Sequence, residues 1–106
     1  MQPLLLGVDV GTTATKAVLI NLAGKLVAQG RAEYPTIHLQ AGWVEQDANK
    51  WWLSFCKATA EAILQVPDAT ITGVAISSQA PTLLAVDNAG RPVRNALIWM
   101  DRRAQA

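Results

Sequence analysis

The residues best suited to chemistry stand together near the start of the chain, in the stretch LLLGVDVGTTATKAVLI of residues 4–20: Asp9, Gly11, Thr12 and Thr13. A glycine lets the backbone turn sharply and lets an anion approach without a Cβ in the way. Free N–H groups at such a turn form an anion-binding concavity, to which threonine hydroxyls add donors. Asp9 can hold a hydrated Mg²⁺ that bridges phosphate oxygens. We interpret residues 11–13, called the phosphate loop below, as part of a metal–phosphate cradle.

This stretch has two alternative interpretations, a P-loop and an ordinary hairpin turn. A P-loop has the form GxxxxGK[ST] and must open a helix, whereas residues 17–20 are short and rich in branched apolar side chains, as in a strand. A β-hairpin fits the pattern better. An ordinary hairpin turn that carries Asp, Gly and Thr, because turns favour these residues, stays open as the alternative.

The elements that must position these residues follow from the apolar pattern. Residues 4–10, 14–20 and 25–34 are predicted strands, joined by short turns into an antiparallel meander. After a loop over residues 35–46, Asp47 is a candidate N-cap for an amphipathic helix that Pro67 and Asp68 end. The apolar positions assigned to its buried face are Ala48, Trp51, Trp52, Phe55, Thr59, Ala62, Ile63 and Val66.

The remaining chain is predicted to return to extended structure. A fourth strand covers residues 71–77, a fifth covers 83–86, a turn follows at 87–90, and residues 95–99 form another extended run. The order βββαβ, followed by a β-rich insertion, predicts an α/β fold with a mixed sheet. The aromatic cluster of Trp51, Trp52 and Phe55 is expected to pack against that sheet.

Composition excludes several classes of protein. The 106 residues fit one small domain, and an apolar fraction of 51% argues against disorder. The net charge of +1 without a basic stripe argues against nucleic acid, and no apolar run approaches the ~20 residues that span a bilayer. The single cysteine, Cys56, is expected to be a buried thiol, and it fits a reducing compartment. We therefore expect a cytoplasmic protein.

Four motifs in sequence order give the chain a specific resemblance. They are Asp9-Val10-Gly11-Thr12-Thr13 with Lys16; Gly42-Trp43-Val44-Glu45-Gln46-Asp47 with Trp51-Trp52; Ile76-Ser77-Ser78-Gln79; and Trp99-Met100-Asp101 with Arg103. Over essentially its whole length the chain resembles the N-terminal end of the FGGY family of carbohydrate kinases, and most closely the xylulokinase-like, pentulose-kinase branch. The resemblance implies two ribonuclease H-like, actin-like domains around a cleft, and transfer of phosphate from ATP with Mg²⁺ to a sugar hydroxyl.

The resemblance also implies roles for individual residues. Asp9 would lie near the metal and the transferred phosphate. The first phosphate motif would comprise Gly11, Thr12, Thr13 and Lys16. The positions that border the sugar pocket would be Gln79, Ala80, Pro81, Trp99, Asp101 and Arg103.

Structural alternatives remain open for several of these positions. Lys16 and Arg103 would then be solvated, Trp99 would be a core residue and Asp101 would cap a helix. Trp43 and Glu45 are expected to fix their loop structurally.

Departures from the family pattern leave the sugar and the completeness of the chain open. Ala80-Pro81 stands where many xylulokinases carry Met-His and where glycerol kinases carry Arg-Glu. The family's catalytic base and the adenine-binding half belong to later parts of the kinase, so no catalytic residue is assigned here. We expect residues 1–106 to be the incomplete first part of the first domain and to be catalytically silent alone, because phosphoryl transfer needs groups on all sides.

Two other functional classes stay as alternatives to the sugar kinase. One is a non-catalytic binding or assembly module with the same fold, and the other is an actin- or Hsp70-like ATPase. For the kinase, the expected partners are a small sugar and ATP, with neither nucleic acid nor membrane. Homodimerisation of the full-length protein is left open.

Overall fold

An antiparallel meander begins the computed structural model, which describes residues 2–105. Its strands are β1 (Gln2–Val10), β2 (Ala14–Asn21) and β3 (Leu26–Glu33). In the β1–β2 pair Val10 lies opposite Thr15, so only a tight turn separates the two strands. The predicted meander and the hairpin around the phosphate loop are confirmed.

A single long helix and a parallel strand complete the main layer. Four strands precede the helix: after the meander comes the short strand β4 (Glu45–Gln46), and α1 then spans Ala48–Leu64. The predicted N-cap is confirmed, because an Asp47 carboxylate oxygen accepts a hydrogen bond from the Asn49 N–H at 2.9 Å. The strand β5 (Ala69–Ser78) then pairs with β1 in parallel, which gives the sheet order β3-β2-β1-β5. The predicted βββαβ order and mixed sheet are therefore confirmed.

The core lies between one face of this sheet and α1, which packs over β2 and β3. Its strand residues include Leu4, Leu6 and Leu19, all buried. The helix faces them with small residues, notably Ala58 and Ala62, both fully buried. Small side chains let the helix backbone approach the sheet closely.

The predicted apolar face of α1 is partly wrong. Ser54 and Ala58 are buried although neither was assigned to that face, whereas Trp52 is 64% exposed and stacks on Phe55 with ring centroids 5.4 Å apart. Cys56 is also exposed, which corrects the expectation of a buried thiol. The reason is steric: the close approach of the helix leaves room only for small side chains, and large ones lie at the margins.

The C-terminal segment folds against the loop that precedes α1. There β6 (Ala96–Leu97) pairs with β4 in an antiparallel two-stranded sheet, which links Gln46 to Ala96. The fifth strand predicted over residues 83–86 is wrong: Leu83 and Val86 make only isolated bridges, to Leu97 and Pro92. The predicted turn at 87–90 is confirmed by the bond from the Gly90 N–H to the Asp87 carbonyl.

The rest of the sheet surface is uncovered in the described chain. On the helix side, Val74 and Ile76 of β5 are 57% and 62% exposed, because α1 lies over β2 and β3 instead. The opposite face carries Leu5, Val18 and Ile20 around a shallow cleft. Within residues 2–105 no helix is long and apolar enough to cross a membrane.

Candidate functional site

The three backbone carbonyls of the phosphate loop each accept a hydrogen bond from a residue outside the loop. The Tyr34 phenol donates to the Gly11 carbonyl and the Tyr34 N–H donates to the Thr13 carbonyl, at 3.2 Å for the latter. Gln46 Nε2 donates to the Thr12 carbonyl at 2.6 Å. Burial raises the pKa of the Tyr34 phenol, so this group stays protonated and able to donate.

Anchored carbonyls orient the N–H groups of the loop. In a trans peptide the N–H points opposite to the preceding C=O, so the N–H groups of Thr12 and Thr13 point away from the anchors. Across residues 2–105, neither of these two N–H groups has an acceptor. Gly11 is not in the left-handed region, but a Cβ there would lie 3.1 Å from the Ala14 carbonyl oxygen, so glycine suits this tight turn. The loop can therefore offer free donors to an anion.

Asp9, Lys16 and Ser77 stand side by side on the uncovered face of the sheet. Asp9 lies opposite Lys16 in β2 and next to Ser77 in β5. The Ser77 hydroxyl donates to Asp9 Oδ1 at 2.8 Å, while Asp9 Oδ2 accepts no hydrogen bond from residues 2–105. The three side chains line a cleft of about 410 Å³. Lys16 is exposed and lies on the same face as the carboxylate.

This donor set fits a hydrated Mg²⁺. Such an ion keeps several waters and needs only one or two protein carboxylates together with substrate phosphates. Asp9 supplies one carboxylate with a free oxygen beside the anion-binding loop. No group of three His, Cys, Asp or Glu side chains suited to a complete metal cage exists in the described part of the chain, and an ion of this kind does not require one.

Trp99 links the C-terminal segment to the phosphate loop. Its indole Nε1–H donates to the Thr12 hydroxyl at 3.0 Å. The side chain is 49% exposed, which makes the alternative of a core tryptophan wrong. With Met100, Asp101 and Gln105 it lines an open cavity of about 650 Å³. An apolar ring face thus stands beside the loop that offers anion donors.

The segment 79–81 leaves the end of β5 next to the same loop. The Gln79 N–H donates to the Val10 carbonyl at 2.9 Å, and its Nε2 donates to Gln46 Oε1 at 2.7 Å. Its Oε1 is buried and has no hydrogen-bond partner within the described residues. The Ala80–Pro81 peptide that follows is cis, and both residues are exposed.

Asp101 and Arg103 lie in an ion-pair cluster with Glu45. Arg103 Nη2 lies 2.6 Å from Glu45 Oε2 and 2.8 Å from Asp101 Oδ2, and the guanidinium stacks 3.9 Å from the centre of the Trp43 ring. Asp101 Oδ2 also accepts the Val44 N–H at 2.7 Å. The cluster therefore ties the C-terminal segment to the loop before α1, and the structural roles expected for Trp43 and Glu45 are confirmed. Asp101 begins no helix within residues 2–105.

The cluster depresses the pKa of both carboxyl groups. Hydrogen bonding by Arg103 holds the pKa of Asp101 at about 2 and lowers that of Glu45 below its usual value. The Asp101 and Glu45 side chains are only 6% and 3% exposed. Both groups are therefore anionic at neutral pH.

Acidification is expected to destabilise the protein through this cluster. A carboxyl whose folded pKa is depressed contributes stability above its unfolded pKa, roughly 4 for Asp, and loses it as the pH falls towards about 2. Urea midpoints measured from pH 7 down to pH 2 should therefore fall more steeply for the wild type than for Asp101→Asn. The exposed Asp68→Asn variant is the matched control. If the urea midpoints of wild type and Asp101→Asn fell in parallel with pH, Asp101 would not be a source of the acid sensitivity.

Two residues that hold the phosphate loop were not predicted from the sequence. Tyr34 lies 23 positions from Gly11, and Gln46 lies 34 positions from Thr12, so no local pattern joins them. The only available signal for Gln46 was its place in the Gly42–Asp47 motif. Arg94 and Asn95, which bind the two Glu45 carboxylate oxygens, left no signal of their own.

The comparisons with known proteins identify the family of the chain. Residues 4–106 match the model of the FGGY family of carbohydrate kinases, N-terminal domain. A glycerol kinase from Herminiimonas arsenicoxydans is 37% identical over an alignment that covers 100% of this chain and 22% of that protein.

Solved structures show the same similarity. A xyloylose kinase from Brucella ovis superimposes with a TM-score of 0.91 at 30% identity, over 94% of this chain and 22% of that one. A gluconate kinase from Lactobacillus acidophilus gives a TM-score of 0.89 at 30% identity, over 95% and 20%. The predicted ribonuclease H-like, actin-like class of this N-terminal portion is confirmed. The chain spans about a fifth of the length of these relatives, and it belongs to the FGGY family of carbohydrate kinases.

Proposed function

We propose that this chain forms the first part of a two-domain kinase that transfers phosphate from ATP to a sugar hydroxyl. The observation that carries the proposal is the phosphate loop, whose carbonyls are anchored while its Thr12 and Thr13 N–H groups have no acceptor among residues 2–105. Asp9 stands beside that loop, and Trp99 is bonded to Thr12. An anion site and an apolar ring face thus share one loop, as a kinase that brings a phosphate and a sugar together requires.

The proposed division of labour follows from the contacts. Gly11, Thr12, Thr13 and Lys16 would bind phosphate oxygens of ATP, and Asp9 would hold Mg²⁺ through its free Oδ2. When bound, the metal supplies positive charge that offsets charge on the transferred group. The loop N–H groups and Lys16 add fixed donors on this side, while the adenine site and the general base would come from outside this chain.

The sugar side is proposed to comprise Gln79, Ala80, Pro81, Trp99, Asp101 and Arg103. Trp99 would offer its exposed ring face to C–H groups of the sugar, and Gln79 would offer a carbonyl oxygen to a hydroxyl. Asp101 and Arg103 have most of their polar atoms engaged within the cluster. We therefore propose that they border the pocket and hold its wall in place.

A pentulose such as xylulose is the proposed substrate. The similarity to the xyloylose kinase from Brucella ovis supports a pentulose. Because a gluconate kinase and a glycerol kinase are also similar to the chain, gluconate and glycerol are the competing substrates. We also propose a cytoplasmic location, for which the single exposed cysteine is the support.

The direct test is a substrate screen of the full-length protein that carries this chain. Purified protein with ATP and Mg²⁺ is offered xylulose, ribulose, glycerol and gluconate, and ADP formation is measured. We expect turnover with a pentulose, and none from residues 1–106 alone. Turnover with glycerol or gluconate only would overturn the pentulose assignment. An absence of turnover with every sugar tried, from a protein that binds none of them, would instead favour a non-catalytic binding module.

Truncating Trp99 is expected to weaken sugar binding more than ATP binding. In Trp99→Ala the sugar loses the exposed ring face, and we expect roughly a tenfold to hundredfold rise in sugar Kd, the scale of one lost aromatic contact. Isothermal titration gives both Kd values, and thermal melting is followed on the same samples. Trp52→Ala, which removes an even more exposed tryptophan on α1, is the control. A fall in melting temperature with sugar Kd unchanged would remove Trp99 from the pocket.

A further inference from the structure

Gln46 carries four hydrogen bonds at a position that is only 1% exposed. Its Nε2 donates to the Thr12 carbonyl at 2.6 Å and to the Thr36 hydroxyl at 3.2 Å. Its Oε1 accepts from Trp51 Nε1 at 2.9 Å and from Gln79 Nε2 at 2.7 Å. A primary amide has two donor hydrogens and two acceptor lone pairs, so the capacity of this side chain is fully used.

The orientation of this amide is fixed by partners that cannot exchange roles. An indole N–H only donates, so the atom facing Trp51 must be the Gln46 oxygen. A backbone carbonyl only accepts, so the atom facing Thr12 must be the Gln46 nitrogen. Flipping the amide would therefore oppose two donors at Trp51 and two acceptors at Thr12.

That fixed orientation determines the orientation of the next amide. Because the Gln46 oxygen faces Gln79 and can only accept, Gln79 must donate with its Nε2. The Oε1 of Gln79 is then the remaining polar atom, and it is the buried acceptor that lacks a partner within residues 2–105. Buried polar atoms in folded proteins nearly always have a partner, so this oxygen calls for a water or another donor that is not among residues 2–105.

Gln46 also connects two parts of the candidate site. Gln46 holds the phosphate loop through the Thr12 carbonyl. The Thr12 hydroxyl in turn accepts a hydrogen bond from the Trp99 indole N–H. Through Gln79, Gln46 holds the segment that leaves β5. Gln46 itself lies in β4, which pairs with β6, and its Oε1 accepts from Trp51 of α1, so contacts outside the two parts that it joins also hold it.

We propose that Gln46 is a positioning residue that joins the phosphate loop to the sugar-side segment and leaves Gln79 Oε1 as the acceptor for a hydroxyl of the sugar. The inference rests on the proposed kinase function and deepens it. It assigns no chemistry to Gln46, which acts only through Thr12 and Gln79. The ligand chemistry is that of a polyol, whose hydroxyl donates to the amide oxygen.

Two substitutions separate the two connections. Gln46→Glu keeps the shape and can still accept from Trp51 and Gln79, but a carboxylate cannot donate to the Thr12 carbonyl. We expect kcat of the full-length kinase to fall about 10- to 100-fold, because small displacements of positioned groups are costly, with less than about a threefold change in sugar KM. Gln46→Met keeps the volume without any polar group. It should lower kcat similarly and also raise sugar KM by about 3- to 10-fold, because Gln79 is no longer oriented.

Indole N–H exchange provides a readout that does not depend on catalysis. In the 106-residue chain, NMR reports solvent exchange of the Trp99 indole hydrogen, which is bonded to Thr12. We expect faster exchange in Gln46→Glu than in wild type, with the exposed Trp52 indole as the internal reference. Gln65→Glu makes the same chemical change at the end of α1, away from the loop, and is the matched control.

The outcomes distinguish this proposal from the proposed function. If the wild-type kinase is active and Gln46→Glu changes neither kcat nor the exchange of the Trp99 indole hydrogen, the positioning role is overturned. A loss of kcat that only follows the fraction of unfolded protein, measured by melting, overturns it as well. If the wild-type full-length protein transfers no phosphate, the kinase function fails, and the Trp99 exchange still decides whether Gln46 holds the phosphate loop.

Discussion

Asp9→Asn is expected to lower kcat of the full-length kinase by ~10²–10³-fold while leaving sugar affinity nearly unchanged, the scale seen when one preorganised electrostatic contact is removed from a transition state. The substitution preserves shape and still allows the Ser77 hydroxyl to donate to the remaining oxygen, so the local structure should persist. What is lost is the negative charge beside the phosphate loop. In the proposed kinase that charge would help to hold a hydrated Mg²⁺ at the transferred phosphate, and its effect would grow as charge shifts in the transition state.

The measurement is steady-state kinetics with varied sugar and varied Mg²⁺, accompanied by sugar titration without nucleotide. Ser77→Ala removes only the hydroxyl that orients Asp9 Oδ1, so it should cost much less than Asp9→Asn. Asp68→Asn, an exposed carboxylate just before β5, should have no effect. Turnover of Asp9→Asn within a few-fold of wild type would mean that Asp9 is an ordinary strand residue without a role in phosphate transfer.

Local patterns in the sequence were sufficient for most of the fold. Alternating and continuous apolar runs placed β1, β2, β3 and β5 within a few residues of their observed ends, because strand periodicity and turn residues are encoded locally. The buried face of α1 was harder to predict. It depends on how closely the helix approaches the sheet, and aromatic residues such as Trp52 lie outside that contact despite their hydrophobicity.

The candidate site was predicted as separate groups of residues, and the structure supplies the connections among them. Thr12 and Trp99 came from different motifs, and the hydrogen bond between them spans 87 positions of the chain. Tyr34 and Gln46 hold the phosphate loop through its backbone carbonyls, and backbone groups leave no signature in the side-chain sequence. The ion pairs of Glu45 could not be predicted from the sequence either, because the two arginines lie 49 and 58 positions away from it.

Gly30→Ala is expected to lower the free energy of unfolding by about 1–3 kcal/mol, the usual cost of overpacking a core. A Cβ at Gly30 would lie 2.0 Å from the carbonyl oxygen of Ala58 and 2.9 Å from the Cβ of Glu61. The nearest of these atoms belongs to the backbone of α1, which cannot rotate away as a side chain can. The helix must therefore move off β3 and weaken its contact with the core.

An opposing effect must be weighed for Gly30→Ala. Replacing glycine reduces the entropy of the unfolded chain and can stabilise a protein by ~0.4–1 kcal/mol where the native conformation tolerates a Cβ. Gly73→Ala isolates that effect, because its Cβ would meet only the flexible end of Leu5, at 3.1 Å, on the uncovered face of the sheet. Urea unfolding of both variants at neutral pH makes the comparison. Because a 2.0 Å overlap with backbone cannot be accommodated in place, we expect the steric cost to exceed the entropic gain at Gly30 and not at Gly73. Equal stabilities of the two variants would mean that α1 lies farther from β3 than the close Gly30–Ala58 approach requires.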